Sequence, residues 1–409
     1  MKRQEASFLA CVRAAGDPTI EARLLAGYAL VRLVLAGSAD EQAPENTRAA
    51  LRSLDETDFS DASAHLAALR GLATALAQQP INRRQLHASL VHYGEVLARE
   101  EHAGCADAVF SISERIWDDS CDEQLALQAF YRWALIMARG RMPLARCREL
   151  PFLLAMRARR ARSDRFLGFA RLLQVEVFLN RGVIPLASRA AQRLLRSDRA
   201  RTFPELAAHA HIYLAALEGR SGSYDRVLEH ASSALNLAGD FPVLRQNALN
   251  LLARALADLG RLDDAQRAYE LAMVSDRSAV QTLIILGLME LSLLKDDLHR
   301  FDHLNARIED GPFVPAHRTL HLQLSARRHT ASGELAIARR LLERGRHLAQ
   351  RHGLSWEYLG LDTELSRLGD ASRHPPATRN DGSASVDLIV EELIALHANS
   401  AVELETMLR

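Results

Sequence analysis

The chain has 409 residues, 48% hydrophobic and 25% charged, with a formal net charge of zero, ordinary values for a soluble protein with a large core. No run reaches 18 apolar residues, so no membrane-spanning helix is expected. The four cysteines, Cys11, Cys105, Cys121 and Cys147, are too sparse for a disulfide scaffold and fit no zinc spacing.

Aromatics make up only 5% while Ala, Leu and Arg dominate, a composition that suits helices and disfavours sheets. The N-terminal run MKRQEASFLACVRAAGD is too short and too polar for a signal peptide. With reduced thiols this predicts a cytoplasmic protein. Lysine occurs only at Lys2 and Lys295, an arginine bias that points to a GC-rich bacterial source. Residues 1–80 are expected as an N-terminal helical cap. Glu21 to Ala36 is a strong helix pattern, Gly37 to Glu45 reads as a loop, and Ser60 or Asp61 can cap a helix running to about Gln78, before Pro80.

From 81 to 369 a repeat emerges. Turn glycines fall at Gly140, Gly182, Gly222, Gly260 and Gly333, with Asp296 in the equivalent place, at intervals of 42, 40, 38, 36 and 37 residues. Each turn sits between two helical patterns, as in Arg165–Asn180 with Ile184–Leu195 and Leu206–Glu218 with Tyr224–Leu237; Leu86–Leu97 with Cys105–Ile116 fits loosely. That makes about six pairs, with no strand-like alternation between them. A hairpin of this kind cannot bury its apolar face alone, so neighbours of the same kind must stack on it. The clearest is Asn247 to Met273.

The residues of that hairpin resemble the tetratricopeptide repeat (TPR). Leu252, Ala253, Leu256, Gly260, Leu262, Ala265, Tyr269 and Ala272 occupy the family's apolar, small, turn and aromatic places. Leu214, Ala215, Gly222, Tyr224 and Ala234 do so in the preceding unit. The usual terminal proline is missing, with Arg277 about where it belongs, and the period exceeds the family's usual ~34 residues. Both departures are similar to divergent bacterial repeats, such as the sensor arms of large LuxR-type activators and the peptide-pheromone receptors. The likeness covers roughly 82–350. It implies an all-α fold, a right-handed superhelical solenoid of TPR-like hairpins with a tethered C-terminal helix.

The resemblance also implies a concave groove lined by first helices. Carried over position by position, its residues are Gln128, Tyr131 and Arg132, then Glu176 and Asn180, then His209 and Tyr213, then Asn247, Asn250 and Arg254. Asn offers a donor and an acceptor to an extended backbone, and Arg a fork for a carboxylate. The leading expectation is therefore a non-enzymatic regulatory or scaffold protein that holds a peptide or protein partner. No phosphate loop, HExxH, GxSxG or GxGxxG is present, and no cofactor or metal is expected. His299 with His303, and His317 with His321, have metal-pair spacing but no third ligand in place.

Charge is unevenly spread. Residues 132–201 hold 17 Arg against Glu149, Asp164, Glu176 and Asp198, between acidic ends. Arg157, Arg159, Arg160, Arg162 and Arg165 form the densest basic patch, which supports the alternative of a nucleic-acid-associated or transcriptional regulator. A solvated face or an acidic protein partner also explains it. Residues 370–385, rich in Pro, Gly, Ser and Asn, read as a flexible linker spanning roughly 20 Å. Residues 386–409 read as an amphipathic helix, with Asp387, Glu391, Glu392, Glu403 and Glu405 against Arg409. That helix can close the solenoid, mediate a homodimer, or dock on the basic middle.

Overall fold

The structure is a computed structural model of the full chain. The residues it describes are 8–9, 12, 18–36, 64–78, 80–99, 102–118, 120–139, 144–273, 279–308, 315–352 and 354–370. The loop over 37–45, the caps at Ser60 and Asp61, Cys11, Gly140, Arg277, the linker from 371 and the C-terminal helix over 386–409 lie outside them.

Every regular element among the described residues is a helix, and no described helix is long and apolar enough to cross a membrane. The chain divides into two compact units, Met1–Arg181 and Gly182–Arg409, a boundary within the stretch expected as one run of repeats.

The first unit holds α1 (Pro18–Ala36), α2 (Ala64–Ala77), α3 (Arg83–Arg99), α4 (Ala103–Ile116), α5 (Glu123–Arg139), α6 (Leu144–Arg160) and α7 (Asp164–Asn180). Each packs on the next, from α1 through α2 up to α7, and α5 also touches α3 and α7. Helices α1 to α4 share one core that includes Leu24, Leu69, Leu72, Leu90, Leu97 and Phe110. Close approach is set by glycine: the Tyr93 hydroxyl fills the place where a Cβ on Gly27 would stand.

The second unit holds α8 (Ile184–Leu195), α9 (Asp198–Thr202), α10 (Pro204–Arg220), α11 (Tyr224–Ala238), α12 (Pro242–Asp258), α13 (Leu262–Ala272), α14 (Ala279–Leu294), α15 (Leu298–Ile308), α16 (Pro315–Ala331), α17 (Leu335–His352) and α18 (Ser355–Asp370). Antiparallel hairpins α10–α11, α12–α13, α14–α15 and α16–α17 follow one another, and first helices touch first helices along α10, α12, α14 and α16. The expected pairing of 165–180 with 184–195 is split, since α7 closes the first unit and α8 opens the second.

The hairpin of Asn247 to Met273 shows why these residues stack. Ala253, Ala265, Ala268 and Ala272 are fully buried, so the two backbones meet over small side chains. Tyr269 then fills the remaining space, its ring tip 2.4 Å from where a Cβ on Gly287 of α14 would stand. The interface thus pairs a large ring with a missing side chain.

The turns share one hydrogen-bond signature. Gly260 has φ 83°. The Arg261 N–H donates to the Leu256 carbonyl at 2.9 Å and the Gly260 N–H to the Ala257 carbonyl at 3.0 Å. This is a Schellman closure, which satisfies carbonyls the helix end leaves unpaired and needs a left-handed residue. The same pair of bonds recurs around Gly222, Asp296 and Gly333. It also recurs between α6 and α7, where Arg162 takes φ 48° and Ser163 donates to the Ala158 carbonyl at 2.8 Å. A sequence search for glycine passes over that turn because an arginine occupies it.

Left-handed backbone costs an L side chain about 1 kcal/mol. Arg162→Gly is therefore expected to raise stability by roughly 0.5–1 kcal/mol, and Gly260→Ala to lower it by about 1–2 kcal/mol. Urea unfolding of the two variants checks both signs.

Candidate functional site

Counting back from each left-handed turn residue places the first helices in register. Seven residues before the turn stand Ala215, Ala253, Met289 and Ala326, all buried. One step later, six before the turn, the second unit carries Arg254 on α12, Glu290 on α14 and Arg327 on α16. Glu364 on α18 extends this polar row.

Most of the row closes on itself. Arg327 Nη1 lies 3.1 Å from Glu290 Oε1. Arg327 Nε donates to Glu364 Oε1 at 2.8 Å, and Gln323 Nε2 donates to the same oxygen at 2.7 Å. Burial pulls the Arg327 guanidinium toward its neutral form, but the paired Glu364 and Glu290 outweigh it and raise its pKa. Sequence reading passed over Gln323, Glu290 and Glu364; the signal that finds the row is the count back from each turn.

Arg254 stands at the open end. It is exposed and makes no ion pair among the described residues. Burial drives the Tyr269 hydroxyl above its ordinary range, and Glu290 and Arg254 both lie close enough to act on it with opposite sign. The row therefore runs past Tyr269 to a guanidinium facing water. One helical turn before Arg254 lies half-buried Asn250, whose carboxamide has no partner among the described residues. Asn247 folds back, its Nδ2 donating to the Val243 carbonyl at 2.8 Å, which leaves its carbonyl oxygen as the group on offer. His209 and Tyr213, half-buried on α10, are engaged in contacts of their own.

The residues expected in the first unit are used differently. Gln128 Nε2 donates to Glu95 on α3 at 2.8 Å. The Tyr131 ring is buried, 4.7 Å from the Phe169 ring. Asn180 Nδ2 donates to buried Glu176 at 3.1 Å and to the Ala138 carbonyl of α5 at 3.2 Å. Gln128, Tyr131 and Asn180 join helix to helix, Glu176 holds Asn180 within α7, and only Arg132 of that set is exposed. Of the expected ladder, Asn180 lies in the first unit and Asn247, Asn250 and Arg254 on α12 in the second.

The arginines of the basic patch differ in their surroundings. Arg157 turns inward, paired with Glu114 and lying 4.5 Å above the centre of the Phe130 ring. Burial raises the Glu114 carboxyl, and Arg157 acts against that shift. Arg159, Arg160 and Arg162 stay exposed, and Arg165 lies over Phe169.

Neither histidine pair forms a metal cluster: among the described residues no group of three or more His, Cys, Asp or Glu converges. His299 and His303 are exposed. His317 and His321 are held down at about 4 by burial, and His321 also by Arg318. Asn305 Oδ1 lies 2.6 Å from His321 Nε2. A further pair that no sequence signal marks joins α10 to α11, with His211 Nδ1 3.2 Å from His230 Nδ1. Burial lowers both pKa values, and His230 lowers that of His211 further.

These hairpins, small-residue interfaces and left-handed turns define an all-α, TPR-like helical-repeat protein. No protein-family model matches the chain, and no curated protein does. Among solved structures it is similar to a Rap protein complexed with competence and sporulation factor, at 12% identity and a TM-score of 0.44, over 84% of this chain and 96% of that one. It is also similar to the TPR domain of P58(IPK), at 16% identity and a TM-score of 0.23, over 91% and 94% of the two chains.

Two outcomes follow from these charges. Unfolded histidine takes up its proton near pH 6.5, whereas folded His317 and His321 resist it until about pH 4. Their contribution is full above pH 6.5 and is lost as pH falls toward 4. Carboxylates held low, such as Asp118 at about 2 and Asp302, act only below that window. The melting temperature is therefore expected to fall between pH 6.5 and 4, and His317→Leu with His321→Gln to flatten the fall. Separately, Arg327→Met leaves Glu290 and Glu364 facing each other without a cation. The Arg327 side chain is 42% exposed, so the expected loss is only about 1–2 kcal/mol by chemical unfolding. Arg327→Lys restores only part of it, because one ammonium cannot fork to both carboxylates.

Proposed function

We propose that the α10–α12 face holds an extended peptide segment of a partner protein, and that the role is binding rather than catalysis. The observation that carries this reading is the open end of the polar row. Arg327 is held by both Glu290 and Glu364, while Arg254 and Asn250 on the adjacent first helix have no partner among the described residues. A guanidinium recognises a carboxylate, and a carboxamide pairs with a peptide backbone on both its edges. Those groups hold a peptide without transforming it. The partner segment accordingly carries an acidic side chain or a free C-terminal carboxylate at the position that meets Arg254.

Selection from a random peptide library displayed on phage tests this. Peptides enriched by the wild-type chain, made synthetically, are expected to bind the Asn250→Ala, Arg254→Ala double variant about 10–100-fold more weakly. Both side chains reach solvent, so the variant keeps the wild-type melting temperature. Unchanged affinity in that folded variant would place the ligand elsewhere.

A further inference from the structure

Helix α8 carries a row of positive charge that the proposed peptide site does not use. Between Arg181 and Asp198 the chain holds three arginines, Arg189, Arg193 and Arg196, and no carboxylate. At 100° per residue the three fall within an arc about 60° wide, with Arg196 the residue that ends the helix. Pro185, Leu186 and Gln192 flank them, and all six side chains are exposed. Ala187, Ala190, Ala191 and Leu194 lie buried on the opposite side. Arg189, Arg193 and Arg196 make no ion pair among the described residues, and the first acid after them, Asp198, is taken by Arg201. The helix dipole favours cations in the last turn, which accounts for Arg193 and Arg196. Arg189 stands two turns before the end, beyond that effect. Like charges three and four residues apart also oppose helix formation, so an anion laid along the row relieves a strain built into it.

We infer that this row binds the phosphate backbone of duplex nucleic acid without reading its sequence. A guanidinium fork matches a phosphate in shape and charge. Duplex DNA carries one phosphate per ~1.7 Å of axis, so about six lie along the ~10 Å that the row spans, enough for each arginine to meet its own. An acidic protein is the less apt occupant. Protein interfaces form around a desolvated apolar anchor, and the centre of this row has none. Leu186, 41% exposed, stands at its start, and Val183 comes before the helix. The outer face of α6 shows the contrast: exposed Phe152 and Met156 interrupt its arginines, and Glu149 stands among them. Contacts to phosphate position a duplex and carry no sequence information, so affinity follows salt and not base order.

Fluorescence anisotropy of a labelled duplex of about 24 base pairs, titrated with the full chain at about 20 to 200 mM sodium chloride, tests the row. Each arginine on a phosphate contributes about −0.9 to the slope of log affinity against log salt. The triple variant Arg189→Gln, Arg193→Gln, Arg196→Gln is therefore expected to have a slope shallower by about 2.7, and each single variant by about 0.9. Should the triple variant fail to fold, the three single variants carry the same test. Arg159→Gln, Arg160→Gln on α6 is expected to keep the wild-type slope, and a second duplex of unrelated sequence to bind within about threefold of the first. No binding at the lowest salt overturns the proposal. So does a slope that the triple variant keeps, a loss that appears in the α6 variant instead, or a preference above about tenfold between the two duplexes. Poly-L-glutamate that competes as well as unlabelled duplex at equal charge also overturns it, in favour of an acidic protein. None of these outcomes depends on Asn250 or Arg254.

Discussion

One local constraint organises the second unit: the hydrogen bond that reaches back five residues at the end of each first helix. It needs a left-handed residue, and where it forms the chain reverses in the same way each time. The bonds around Gly222, Gly260, Asp296 and Gly333 therefore bring successive first helices to a common reference point. Seven residues back from that point lies Ala215, Ala253, Met289 or Ala326 in the core. Six back lies the next residue round the helix, Arg254, Glu290 or Arg327. The polar row follows from this register: its members are neighbours because their turns are equivalent, although they are about 36 residues apart in the chain.

The same register explains why the fold was largely legible in the sequence and the site only partly so. Helix content, the hairpins and four of the turns follow from apolar spacing and from glycine or aspartate at the left-handed position. The turn at Arg162 was hidden because its geometry is enforced by the bonds from Ser163 and Arg162 to Ala158 and Arg159, not announced by a residue type. The packing of Tyr269 on Gly287 was half visible: the aromatic was marked, its vacant partner was not.

Site residues are harder because a polar side chain on an inner face looks the same in sequence whether or not a neighbour supplies its partner. Gln128 and Asn250 are both amides on first helices. Glu95 stands 2.8 Å from the first, and among the described residues no such group stands by the second. That difference depends on the register between helices, which periodicity within one helix cannot report. Arg157 fails for the same reason. Its place in an arginine run says charge, while Glu114 and the ring of Phe130 turn it into a packing residue. An arginine stem covers apolar surface as readily as its head meets an anion.

The two arginines of the row differ in what an added carboxylate would have to displace. At Arg327 it must displace Glu290 and Glu364, two charges already held at hydrogen-bond distance, and leave them facing each other in partial burial. At Arg254 it displaces water alone, since that guanidinium has no resident anion among the described residues. Both are arginines on equivalent helices, so the distinction lies in their surroundings rather than in their chemistry. The internal ion pairs engage α14, α16 and α18, and among the described residues of this row the α12 guanidinium is the one with no anion beside it.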